Sequence, residues 1–110
     1  MTDKITVLVT CGSIEDARRI ARELVESRLA ACVNLMPPVR SIYHWRGAIE
    51  EGDEILMIIK SARPLFEELK ATITRLHSYE VPEIIALPIV DGAAPYLAWM
   101  NKELSQQESE

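Results

Sequence analysis

The chain predicts an α+β fold of order βαββαβ with one further helix at its end. Three observations lead there. A β-branched run, Ile5-Thr-Val-Leu-Val-Thr10, opens the chain, and two later segments repeat apolar residues at helical spacing. Between those segments, two β-like stretches meet at Arg46-Gly47 and fold back on one another. A chain of 110 residues is one domain, 1–110.

The opening strand ends at Cys11-Gly12, after which Ser13 suits a helix N-cap, with Glu15 and Asp16 well placed in the first turn. Ile14, Ala17, Ile20, Ala21, Leu24 and Val25 form the apolar stripe, and Arg18, Arg19, Arg22 and Glu23 the outer face. An extended segment from Ala31 to Trp45 is broken at Pro37-Pro38, which places it at a sheet edge with a kink or bulge. Its partner, Ala48 to Ser61, follows a turn in which Gly47 takes positive φ, and Gly52-Asp53 marks a second irregularity. Pro64 fits the first turn of a helix striped by Leu65, Phe66, Leu69, Ile73 and Leu76. Glu83 to Val90 reads as another edge strand because of Pro88, and Pro95 to Leu104 as a short helix before a frayed tail, 105–110. Together these give the split βαβ, ferredoxin-like arrangement, an antiparallel sheet with both main helices on one face.

One dimension has consequences. A hairpin arm of about 14 residues reaches roughly 45 Å at ~3.3 Å per residue. A domain of this size has a radius of gyration near ~13 Å. The hairpin therefore overhangs its own sheet and exposes backbone edges, which predicts an oligomer joined through sheet edges.

Composition excludes several functions. Nearly half the residues are hydrophobic and aromatics are scarce, so the core is aliphatic. A formal net charge of −5 argues against nucleic acid and anionic membranes as partners. Cys11 and Cys32 are isolated thiols, and no apolar run reaches signal-peptide or membrane-spanning length, so the expected location is cytoplasmic. Glycines at 12, 47, 52 and 92 build no phosphate loop, and no nucleophile elbow or zinc pattern is present. The first and third strands, ITVLVT and EILMIIK, lack the aromatics of an RNA-recognition sheet.

The segments RLAACVNLMPPVRSIYHWRGAIEEGDEILMIIKS and HSYEVPEIIALPIVDGAAPYLAWM resemble the CutA divalent-cation-tolerance family. The motifs LAACVN, SIY-x-W-x-G-x-I-E and H-x-YEVPEI carry the resemblance, which covers nearly the whole chain. It implies a ferredoxin-like fold in a tight homotrimer, related in architecture to PII signalling proteins. It also implies a role in tolerance to divalent cations, with copper bound by some members and no firmly assigned reaction. The family's common H-P-Y-E has Ser78 in place of proline here.

In that light His77 is the leading metal candidate, since imidazole suits copper or zinc and a thiolate suits soft copper. The last strand runs antiparallel to the first, which brings the segment at His77 toward Cys11, with Glu80 as a candidate third ligand. The alternatives are a histidine that caps or hydrogen-bonds, and a cysteine that is a small buried hydrophobe. Tyr43, Trp45, Lys60, Tyr79, Glu83 and Trp99 form a second set, suited to an oligomer interface or a ligand cleft between subunits. The acidic run Glu50, Glu51, Asp53 and Glu54 reads as a solvated hairpin edge.

The expected function is that of a non-enzymatic cytoplasmic trimer of metal tolerance with weak copper-class binding and no organic cofactor. A PII-like sensor, with a small-molecule ligand in its clefts and an unidentified protein partner, is the second reading. A hydrolase using His77 as base and Glu83 as its orienter ranks last, because no nucleophile or oxyanion hole accompanies them.

Overall fold

In the computed structural model, which describes residues 2–105, strand β1 (Lys4–Cys11) lies between two others. β4 (Ala48–Ala62) runs along one side and β5 (Ile84–Pro88) along the other, both antiparallel to it. β2 (Cys32–Leu35) pairs with the second half of β4 and β3 (Val39–Trp45) with the first half, again antiparallel. The sheet order is β2-β4-β1-β5, with β3 on β4. The α+β architecture with an antiparallel sheet is therefore as the sequence predicts. Of the tail expected at 105–110, residues 106–110 lie outside the described residues.

Local signals explain most boundaries. Helix α1 (Ile14–Glu26) starts at Ser13, whose extended backbone lets its hydroxyl accept from the Asp16 N–H. It ends where Arg28 turns left-handed at φ 65°, so that the Leu29 and Ala30 N–H groups return to the Leu24 carbonyl. Pro64 sits in a 3-10 turn, Arg63–Leu65, that leads into α2 (Phe66–Leu76). Pro95 lies in the first turn of α3 (Ala94–Leu104). At the hairpin tip both Arg46 (φ 52°) and Gly47 (φ 83°) have positive φ, the backbone of a two-residue turn matched to strand twist.

The irregularity expected at Gly52-Asp53 is not there. Gly52 faces Ser41 and Asp53 faces Arg40 in unbroken pairing. The break falls opposite Ile55 and Leu56: Leu35 faces Met57 and Val39 faces Glu54, so three residues, 36–38, answer two on β4. The extra residue is a bulge, placed there because Pro37 and Pro38 cannot donate to the ladder.

Alternation along the strands assigns two faces. Ile5, Val7, Val9 and Cys11 of β1, with Ile55, Met57 and Ile59 of β4, share one buried cluster with Ala17, Ile20 and Leu24 of α1 and Leu69 and Ile73 of α2. Both main helices thus cover the same face. Fully burying one of these large aliphatic side chains stabilises by about 1.5–3 kcal/mol. Met100 and Leu104 of α3 are buried outside that cluster. Cys32 faces Lys60 on the opposite side of the sheet. The remainder of that second face carries half-buried Leu8, Leu56 and Ile58 and exposed Ile85 and Leu87. β1 reaches only Ile55 on β4, so 48–54 of β4 pair with β3 alone and overhang the sheet. No helix among the described residues is long and apolar enough to cross a membrane.

Removing the cap in Ser13→Ala should lower unfolding stability by about 1 kcal/mol, read by denaturant titration at fixed protein concentration. An unchanged midpoint would mean that the Ser13 hydroxyl contributes nothing net.

Candidate functional site

Where β1 ends, three segments converge. The extended backbone that follows α2 brings His77 over the last two residues of β1. Its Nε2 lies 2.8 Å from the Thr10 carbonyl oxygen and 3.6 Å from Cys11 Sγ. A carbonyl only accepts, so the ring carries its proton on Nε2 and donates it to Thr10. Nδ1 then accepts from the Tyr79 N–H at 3.0 Å. Both ring nitrogens are engaged, and the ring also packs against Tyr79 with centroids 4.7 Å apart. Arg19 donates to the Leu76 carbonyl and to Asp16, so this turn is tied to α1.

Cys11 is fully buried, with its Sγ 3.5 Å from Met57 Sδ. Burial, with help from the Asp16 and Glu54 charges, pushes its thiol from the ordinary 9.0 up to about 11. At neutral pH it is a thiol, neither a nucleophile nor a ready ligand. Glu80 stands apart from the pair. Its carboxylate takes Arg46 Nη2 at 3.0 Å, and the Arg46 guanidinium lies 5.3 Å from the Trp45 ring centre. Of the three metal candidates the fold brings Cys11 and His77 together and leaves Glu80 elsewhere. No group of three or more His, Cys, Asp or Glu side chains among the described residues is placed to hold a metal ion. The residues do not fit a resident metal centre.

On the far side of the sheet from α1 and α2, beside this hub, lies a cavity of about 580 Å³. Thr10, Ser41, Tyr43, Trp45, Tyr79 and Glu83 line it, with Glu54, Glu80, Ile42 and Val81. The Tyr79 hydroxyl donates to Glu54 at 2.6 Å and the Thr10 hydroxyl to Glu83 at 3.4 Å. Burial and the Glu54 carboxylate hold the Tyr79 phenol far above its usual range, so it stays a donor. Four of the six expected cleft residues, Tyr43, Trp45, Tyr79 and Glu83, gather here. Lys60 instead bonds Asn34, and Trp99 stacks near Tyr96 on α3 at 5.5 Å.

Glu54 and Thr10 were not singled out by sequence. Glu54 belongs to the run expected to be a solvated edge, and Glu51 and Asp53 do behave so, both pairing with Arg40. Strand alternation supplies the missing signal, because Glu54 shares a face with Glu50, which lies opposite Tyr43.

Residues 5–103 match the family model described as "CutA1 divalent ion tolerance protein". The chain belongs to the CutA family. It is 49% identical over 96 residues to the divalent-cation tolerance protein CutA of Thermus thermophilus, covering 87% of this chain and 93% of that protein. The solved Thermus thermophilus structure superposes with a TM-score of 0.85 over the same shares. A structure from Archaeoglobus fulgidus, named a periplasmic divalent cation tolerance protein CutA, gives 0.90 at 37% identity, covering 93% of this chain and 99% of that one. Protein CutA of Mus musculus is 50% identical over 94 residues, 86% of this chain but only 53% of the mouse protein. These CutA names describe tolerance rather than a reaction, and they lend no support to a PII-like sensor.

The raised Cys11 thiol fixes a pH dependence for this CutA chain. Above pH 9.0 the unfolded chain releases the Cys11 proton while the folded chain holds it to about 11, so stability falls as pH rises through that window. The slope approaches about 1.4 kcal/mol per pH unit at most. Denaturant titrations from pH 8 upward, on the protein and on Cys11→Ala, should show a shallower decline in the variant. Equal slopes would sink the assignment to Cys11.

Proposed function

We propose that the protein serves divalent-ion tolerance as a non-enzymatic, cytoplasmic homotrimer of ferredoxin-like subunits that takes copper-class ions weakly, as cargo, at Cys11 and His77. The observation that carries the reading is the 3.6 Å approach of Cys11 Sγ to His77 Nε2, two donors that suit a soft ion. The surroundings explain why binding is weak. An ion has to strip the proton from a buried thiol, displace the His77 bond to Thr10 and move the Nε2 proton to Nδ1, where the Tyr79 N–H now binds.

Trimer formation is supported by the single-sided pairing of 48–54 and by the apolar second face with exposed Ile85 and Leu87, surfaces that solitary chains avoid. The chemistry disfavours an enzyme. Cys11 is buried and protonated, His77 uses both nitrogens, and Glu83 bonds Thr10 rather than orienting the imidazole.

Calorimetric titration of the reduced protein with copper or zinc should give one weak site per chain, at about micromolar Kd or above. His77→Ala should weaken it by about tenfold or more while light scattering still reports three chains. Affinity should rise with pH below 11, by up to about tenfold per unit, because binding releases the Cys11 proton. Binding that survives the substitution would make the pair irrelevant, and a monomeric mass would remove the trimer.

A further inference from the structure

The cavity beside the hub plays no part in the tolerance reading, yet its charges are unbalanced. The neighbouring arginines are committed elsewhere, Arg40 to Glu51 and Asp53 and Arg46 to Glu80. Glu54 and Glu83 receive hydroxyl donors from Tyr79 and Thr10 but make no ion pair among the described residues. A hydroxyl orients a carboxylate without cancelling its charge. Around these two stand the rings of Tyr43, Trp45 and Tyr79, whose faces attract cations.

The lining favours an organic cation over a metal ion. Glu54 precedes the part of β4 that pairs with β1, Glu83 precedes β5, and β1 runs between those strands. Two strand spacings put the backbones of the two glutamates roughly 10 Å apart. No group of three or more His, Cys, Asp or Glu side chains among the described residues is placed to hold a metal ion, so these two have no third ligand. A chain with cationic groups at its two ends and methylenes between them fits better, with the methylenes against the aromatic wall. At the rim the protein already displays this chemistry, for the Arg46 guanidinium lies over Trp45 while bonding Glu80. The volume of about 580 Å³ suits a small molecule, and the uncompensated carboxylates repel nucleotides and other anions.

We propose that this cavity binds an organic polycation of the polyamine class, its ammonium groups on Glu54 and Glu83 and its methylenes on Tyr43, Trp45 and Tyr79. The site is separate from the Cys11–His77 pair and stands or falls without it.

Calorimetry with spermidine, on chelator-treated protein at about 150 mM salt to screen diffuse attraction, tests this. Saturable binding at one site per chain is expected. Glu54→Gln and Glu83→Gln, which keep shape and hydrogen-bond acceptor, should each weaken it about fivefold or more. Glu51→Gln, on the hairpin edge, should leave it unchanged. Circular dichroism and light scattering on each variant separate lost binding from lost structure. Three results would overturn the proposal: no binding to the intact protein, equal weakening by Glu51→Gln, or full affinity in both cavity variants. The first, with Tyr43→Ala dissociating the oligomer, would show that a second copy of the chain covers this face.

Discussion

A single strand of 15 residues, β4, carries hydrogen bonds for three others, and the change of partner along its length organises the molecule. From Ile55 to Ala62 it lies inside the sheet, with β1 on one side and β2 on the other. From Ala48 to Glu54 only β3 accompanies it. The transition is abrupt, because Cys11, the last residue of β1, pairs with Ile55. At the same level the bulge at 36–38 shifts the register between β2 and β3. Cys11, His77, Tyr79, Glu54 and Glu83 sit at that junction, while Tyr43 and Trp45 reach the cavity from the overhanging hairpin. A sheet that stops on one side while its neighbour strand continues leaves a step, and a step in a sheet is a concavity.

The step also explains which chemistry is dry and which is wet. On the helix side of the sheet, Cys11 and Met57 lie in the core cluster without solvent contact of their own, and burial holds the thiol protonated. On the other side, one residue along β1, Thr10 faces the cavity and offers its hydroxyl to Glu83. Alternation over two consecutive residues thus separates a soft, neutral donor pair from a charged, aromatic cleft.

Much of this architecture was legible in the sequence because local signals agreed with one another. The β-branched run gave β1, Ser13 with Glu15 and Asp16 gave the start of α1, and the prolines gave edges and first turns. The approach of His77 to Cys11 was legible too, since it follows from strand direction alone. What escaped had non-local causes. Gly52-Asp53 looked like a break, but a glycine tolerates a regular strand and Ser41 and Arg40 pair across from it without interruption. The true bulge depends on which β4 residues face Pro37 and Pro38, and register is a property of two segments. Glu54 was hidden in an acidic run whose other members do face water, and only its cross-strand neighbours distinguish it. A hydrogen-bonding His77 was among the alternatives the sequence offered, but its partners were not legible, because one is a carbonyl 67 residues away.

Two residues, Thr10 and Tyr79, touch both sites: the Thr10 carbonyl accepts from His77 while its hydroxyl meets Glu83, and Tyr79 does more. Its backbone N–H holds the His77 ring, its own ring packs on that imidazole, and its hydroxyl holds Glu54 in the cavity. The close approach of Gly12 reinforces the arrangement, since a Cβ there would come within 3.2 Å of the Tyr79 hydroxyl oxygen. On the proposed tolerance reading, an ion at Nε2 displaces the bond to Thr10 and sends the ring proton to Nδ1, which costs the Tyr79 N–H its acceptor. On the proposed cavity reading, a ligand on Glu54 and Glu83 meets the hydroxyls of those same two residues, Tyr79 and Thr10. Were both to bind, any coupling between them would be reciprocal in free energy. Thr10 and Tyr79 each present a backbone group to His77 and a hydroxyl to the cavity, so that is where such coupling would act.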